Sequence, residues 1–196
     1  MPVQISKSRG GRSRLDVRVC RYRVDAGDRI IAVSGDWAGF ARANEGRAVC
    51  ADAVLETSLW RHITGLENRL VYRQIMDYVR DRGRSVRFLF RCDSPETRRL
   101  VGMRVAPALD GGCCFETAIL LEHRRPHLPL LDVQAPKSTD VLALCNWCMR
   151  ADCGPLGWRA LDDPCVRRTA RDPAAPPRPV FTICPDCLAA LRHALR

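Results

Sequence analysis

The chain has 196 residues, of which 46% are hydrophobic and 28% are charged, and its formal net charge is +10. This length accommodates one sizeable domain, or a medium domain with a small appendage. No stretch approaches the ~20 consecutive apolar residues of a membrane helix, and no apolar segment follows the basic start as it would in a signal peptide. We therefore expect a cytoplasmic protein without membrane contact.

The positive charge is concentrated at the start of the sequence. Residues 1–18 contain five basic residues and one acidic residue. Their Gly/Ser/Arg-rich composition predicts a disordered basic tail. The remaining sequence is closer to neutral, so a basic groove for DNA is not indicated.

Two strands open a predicted domain of residues 19–122. Residues 20–24 alternate apolar and basic side chains, and residues 29–34 (RIIAVS) follow after a turn, which predicts a β-hairpin. Residues 36–44 (DWAGFARAN) have the spacing of a helix. Residues 53–63 predict a short helix or turn with Leu59, Trp60 and Ile63 directed inward.

A long helix follows over residues 66–81, with an apolar stripe on one face. Thr64 and Glu67 fit a capping box at its start, and Gly83 predicts its end. Three strands complete the domain, of which the last, residues 113–121, is apolar on both faces and is therefore predicted to be central. The first two strands are indicated by the apolar alternations Val86, Phe88, Phe90, Cys92 and Val101, Met103, Val105.

Three short sequence words are distinctive: SLWRHI at residues 58–63, FRCDSP at residues 90–95 and ICPDC at residues 183–187. With these words the chain resembles a group of bacterial PAS-like proteins that carry a short C-terminal cysteine module. The resemblance implies an α+β fold, with a PAS-like five-stranded antiparallel sheet, helices on one face, and a small zinc-ribbon-like module. It also implies a sensory or interaction role, because none of the words is a catalytic signature.

The C-terminal part contains two Cys-x-x-Cys pairs. Residues 123–138 contain three prolines and are predicted to be a linker, followed by a zinc-binding module of residues 139–196. Four thiolates, two from each of two tight turns, can bind Zn²⁺ tetrahedrally; here they are Cys145, Cys148, Cys184 and Cys187.

A module of this size buries too little apolar surface to fold unaided, which favours a structural zinc ion. The stretch between the two pairs is longer than the usual ribbon spacing. In addition, Phe181, Thr182 and Ile183 stand where the PAS-like group commonly has a His and a Gly. Either Cys153 or Cys165 could therefore replace one of the four ligands.

The sequence contains none of the common catalytic signatures, such as a Walker loop, GxGxxG, HExxH or GxSxG, so we expect no enzymatic activity. We expect a sensory or regulatory protein whose PAS-like domain binds a protein partner, a second copy of itself or an unidentified ligand. Two alternatives stay open. One is a nucleic-acid-binding regulator that uses the zinc module and the Arg-rich tail; the other is a thiol-redox protein that uses the Cys-x-x-Cys pairs.

Overall fold

The computed structural model describes three stretches of the chain, residues 19–39, 50–170 and 174–196. The predicted basic tail over residues 1–18 lies outside the described residues. So does part of the predicted helix over residues 36–44, of which residues 37–39 are helical. None of the helices in the described stretches has the length and apolar character that a membrane crossing requires.

The fold is α+β, and its larger part is a five-stranded antiparallel sheet. The strands are β1 (Val19–Val24), β2 (Ile30–Gly35), β3 (Val86–Arg91), β4 (Thr97–Pro107) and β5 (Cys113–Arg124). Their order across the sheet is β2-β1-β5-β4-β3. The apolar strand β5 is therefore central, as predicted.

Between β2 and β3, the described residues from position 50 onward form α1 (Ala51–Val54), a 3-10 turn (Leu59–Arg61) and the long helix α2 (Leu66–Arg82). One face of α2 is buried against the sheet through Val71, Ile75, Met76 and Val79. Gly83 ends α2 with a φ of 59°, in the left-handed region that glycine adopts without a Cβ penalty. The predicted helix end is confirmed.

The start of α2 differs from the prediction, because Thr64 and Glu67 do not form a capping box. Gly65 occupies the N-cap position, and no side chain caps the helix there. The Glu67 carboxylate instead accepts hydrogen bonds from the backbone N–H of Ile183, at 3.0 Å, and from the hydroxyl of Thr182. The Glu67 side chain, which would complete a capping box, therefore contacts the C-terminal part of the chain instead.

The chain after β5 forms a second, smaller sheet in the order β8-β7-β6-β9. The strands and α-helices of this C-terminal part are β6 (Val141–Cys145), β7 (Ala151–Asp152), β8 (Trp158–Arg159), α3 (Pro164–Thr169), β9 (Arg178–Thr182) and α4 (Pro185–Ala194). Leu130, in the stretch predicted to be a linker, is buried and packs in one cluster with Leu142, Leu144 and Val166.

The two sheets are joined by direct packing. Trp147 stacks on Phe88 of β3, with 4.8 Å between the ring centroids and 8° between the ring planes. The backbone N–H of Arg91, also on β3, donates to the carbonyl of Trp147 at 2.8 Å. Ile183 and Leu191 belong to the same buried cluster as the apolar face of α2. The loops that carry the predicted zinc ligands therefore lie against the larger sheet and its long helix.

Candidate metal centre

The parallel pairing of β6 and β9 brings the two Cys-x-x-Cys pairs together. Cys145, the last residue of β6, lies opposite Thr182, the last residue of β9. Because parallel strands run in the same direction, the turns that follow them start at the same edge of the sheet. The first pair lies in the turn after β6, and the second begins two residues after β9.

The first pair is shaped by a tight turn between β6 and β7. The N–H of Cys145 donates to the carbonyl of Arg150 at 2.8 Å, and the N–H of Met149 donates to the carbonyl of Cys145 at 2.8 Å. Met149 has a φ of 57°, in the left-handed region. These bonds fold Cys148 back toward Cys145.

The second pair lies at the start of α4. Cys184 is the N-cap residue, Pro185 occupies the first turn, and Cys187 follows within that turn. Proline suits this position because its missing N–H would have no partner in the helix. The positive end of the helix dipole favours thiolates there. The N–H of Cys184 donates to Sγ of Cys145 at 3.3 Å, which links the second pair to the first.

The four sulfur atoms have the spacing of a metal site. The Sγ atoms of Cys145, Cys148, Cys184 and Cys187 all lie within 4.8 Å of one another, and Sγ of Cys148 is 3.7 Å from Sγ of Cys184. Four sulfurs at ~2.3 Å from a tetrahedral ion would be about 3.8 Å apart, whereas a disulfide requires about 2.05 Å. The group can hold a metal ion, and its all-sulfur donor set suits a soft or borderline metal.

Most of the four-cysteine group is shielded from solvent. Cys145, Cys184 and Cys187 are buried and Cys148 is half-buried. Hydrogen bonds from Cys145 and Cys187 lower the pKa of Cys148. The bond to Cys148 raises the pKa of Cys145 to about 11, and the bonds to Cys145 and Cys148 raise the pKa of Cys187. These bonds favour the thiolate form of Cys148.

Arg150 contacts both pairs, a role that the sequence analysis missed. Its Nε donates to Sγ of Cys148 at 3.2 Å, and one terminal nitrogen donates to Sγ of Cys184 at 3.5 Å. That same nitrogen also bonds the Asp186 carboxylate at 2.7 Å. The hydrogen bond to Cys148 raises the pKa of Arg150, so the guanidinium stays charged beside the sulfurs. The only signal in the sequence is a basic residue two positions after the first pair.

The structure brings the four predicted ligands together and leaves the two suggested substitutes outside. Within the described residues no other group of three or more Cys, His, Asp or Glu side chains could hold a metal ion. Cys153 packs against the buried cluster around Leu144, and burial and a hydrogen bond with Cys165 raise its pKa to about 11. The chain matches no protein-family model, and no curated protein is significantly similar to it.

Proposed function

We propose that this chain is a non-enzymatic regulatory protein in which a PAS-like domain packs against a zinc-ribbon-like unit that holds a structural zinc ion. The observation that carries the proposal is the convergence of four cysteine sulfurs within 4.8 Å, three of them on buried residues. A site with four protein ligands and no open position stabilises structure and does not activate water.

Zinc fits this donor set better than the harder divalent ions. Mg²⁺ and Ca²⁺ prefer oxygen ligands, whereas four thiolates in a tetrahedron are typical of structural zinc. The sheet β8-β7-β6-β9 is short, has a small core of its own and packs against the larger sheet, and a bound metal ion would add to this stability. Structural zinc contributes about 10–16 kcal/mol of apparent binding free energy in small domains.

The PAS-like part of the proposal is supported by the sheet and by the helices that cover it. The five strands are antiparallel, and α1 and α2 lie between β2 and β3 in the chain. α2 packs on one face of the sheet, as the resemblance of the sequence implies. The regulatory role rests on this analogy of fold together with the sequence words, and not on a catalytic arrangement.

The contacts between the two parts suggest how a signal would pass. Glu67, in the first turn of α2, bonds the backbone just before the second Cys-x-x-Cys pair. Trp147, inside the first pair, stacks on Phe88 of the sheet. A ligand that changes the packing of α2 on the sheet would alter both contacts, and the C-terminal unit would present that change to a protein partner.

Native mass spectrometry of the freshly purified protein tests this proposal. We expect one zinc ion per chain, and the same spectrum reports any bound small molecule and whether the partner is a second copy. We expect Cys187→Ser to lose the zinc, because it removes a buried ligand. The matched control Cys165→Ser should keep it, since Cys165 lies in the same unit but outside the four-sulfur group. Folded wild-type protein without metal, or zinc retained in Cys187→Ser, would contradict the proposal.

A further inference from the structure

We infer that Arg150 is a positioning residue of the metal centre that retains the bound ion by offsetting the charge of its thiolate ligands. The inference rests on the metal site proposed above and adds a determinant of how tightly that site holds its ion.

The guanidinium of Arg150 bridges the two Cys-x-x-Cys pairs. It donates one hydrogen bond to Sγ of Cys148, at 3.2 Å, and one to Sγ of Cys184, at 3.5 Å. These sulfurs come from different turns, 36 positions apart in the sequence. One side chain therefore holds a ligand from each turn at the same time, through donors in a fixed planar geometry.

The charge of the site explains why such a donor matters. Four thiolates around a divalent ion carry a net charge of about −2, and burying an uncompensated charge is costly. An arginine is always protonated, and hydrogen bonds to an ionised acceptor are stronger than neutral ones. Arg150 offsets one of these negative charges at the sulfurs. It also lies against Cys148, the one ligand of the four that is not fully buried.

The pairing of Arg150 with Asp186 does not account for this arrangement. The Asp186 side chain is 64% exposed, whereas that of Arg150 is 22% exposed. Exposed ion pairs of this kind contribute little to stability. The guanidinium of Arg150 contacts the sulfurs on its buried side, and Asp186 orients it from the solvent side.

The rate at which zinc passes to the colorimetric chelator 4-(2-pyridylazo)resorcinol tests the inference. Loss of a hydrogen bond to a metal ligand typically weakens metal binding by about 10–100-fold. We expect release from Arg150→Gln to be faster by a factor in this range. We expect an intermediate rate from Arg150→Lys, which keeps the charge but cannot make both bonds. The matched control is Arg192→Gln on the exposed side of α4, in a groove with Asp77 and Tyr78; its rate should equal that of wild type.

Cobalt substitution separates this role from a general loss of stability. A positive donor on sulfur stabilises the sulfur lone pairs, so its removal should move the sulfur-to-cobalt charge-transfer band of Arg150→Gln to longer wavelength. A merely structural arginine would leave the band unchanged. Wild-type release rate and band position in Arg150→Gln, with zinc bound to wild type, would overturn this inference and leave the proposed function standing. If wild type binds no metal, both fail. If Arg150→Gln does not fold, Arg150→Lys supplies the same two readouts.

Discussion

At the scale of single residues, Asp93 organises the connection between β3 and β4. Its side chain has no exposed surface. The carboxylate accepts hydrogen bonds from the guanidinium groups of Arg91, at 2.9 Å, and Arg125, at 3.2 Å, and from the backbone N–H of Arg99, at 3.1 Å. A buried carboxylate is tolerated only with partners of this kind. The sequence word FRCDSP, which contains Asp93, thus has a structural explanation.

We expect Asp93→Asn to lower the free energy of unfolding by about 3–5 kcal/mol, because it leaves two arginines without their buried counter-charge. Urea denaturation measures this difference. The matched control is Glu122→Gln, which removes a carboxylate that pairs with Arg99 but is 53% exposed. We expect the control to cost less than about 1 kcal/mol. Equal losses of unfolding free energy in the two variants would show that Asp93 does not organise this connection.

At the scale of elements, the sequence predicted those strands and helix ends that depend on local residue patterns. Alternation along β3 and β4 and the apolar character of β5 gave the strands and the central position of β5, and Gly83 marked the end of α2. The prediction of a capping box at Glu67 was wrong, because the Glu67 carboxylate accepts a hydrogen bond from Ile183, 116 positions away. No local pattern can report a contact at that separation.

Part of the candidate site was likewise predictable from local sequence patterns, and part depended on contacts between distant residues. The sulfurs of Cys145 and Cys148 were predictable as a pair, because two intervening residues fix a tight turn. Of the eleven cysteines, the repeated Cys-x-x-Cys spacing also selected Cys184 and Cys187 as the partners of the first pair, and the structure brings these four together. The parallel pairing of β6 with β9 that places the two pairs side by side was not predicted. The roles of Trp147 and Arg150 depend on packing against Phe88 and on the sulfurs, so composition and spacing could not assign them.

Substitution of Trp147 tests how the first Cys-x-x-Cys turn is held to β3, because Trp147 packs against that strand. We expect Trp147→Ala to lower the free energy of unfolding by about 3–5 kcal/mol, the usual effect of truncating a buried aromatic residue. Urea denaturation measures the loss. Leu156→Ala, at an exposed position of the same unit, is the control and should change stability by no more than about 0.5 kcal/mol. If the two variants are equally stable, the stacking on Phe88 does not hold the turn to the sheet.

At the scale of the whole molecule, the candidate metal centre and the larger sheet share one hydrophobic core. Cys145, Cys184 and Cys187 are in the same buried cluster as Val24 and Phe115, which lie on the inner face of the five-stranded sheet. The loss of a metal ion would therefore disturb more than the two turns that bind it. We expect the stability of the larger sheet and that of the metal centre to change together.

Thermal unfolding with and without metal tests most directly whether a metal ion held by these four cysteines stabilises the molecule. Far-ultraviolet circular dichroism follows both sheets, before and after zinc is removed by a chelator under reducing conditions. We expect a single transition whose midpoint falls by at least about 10 °C on zinc removal. This corresponds to the ~4 kcal/mol that a ligand contributes at 1,000 times its dissociation constant. Return of zinc should restore the midpoint. Superimposable curves with and without zinc would contradict the account.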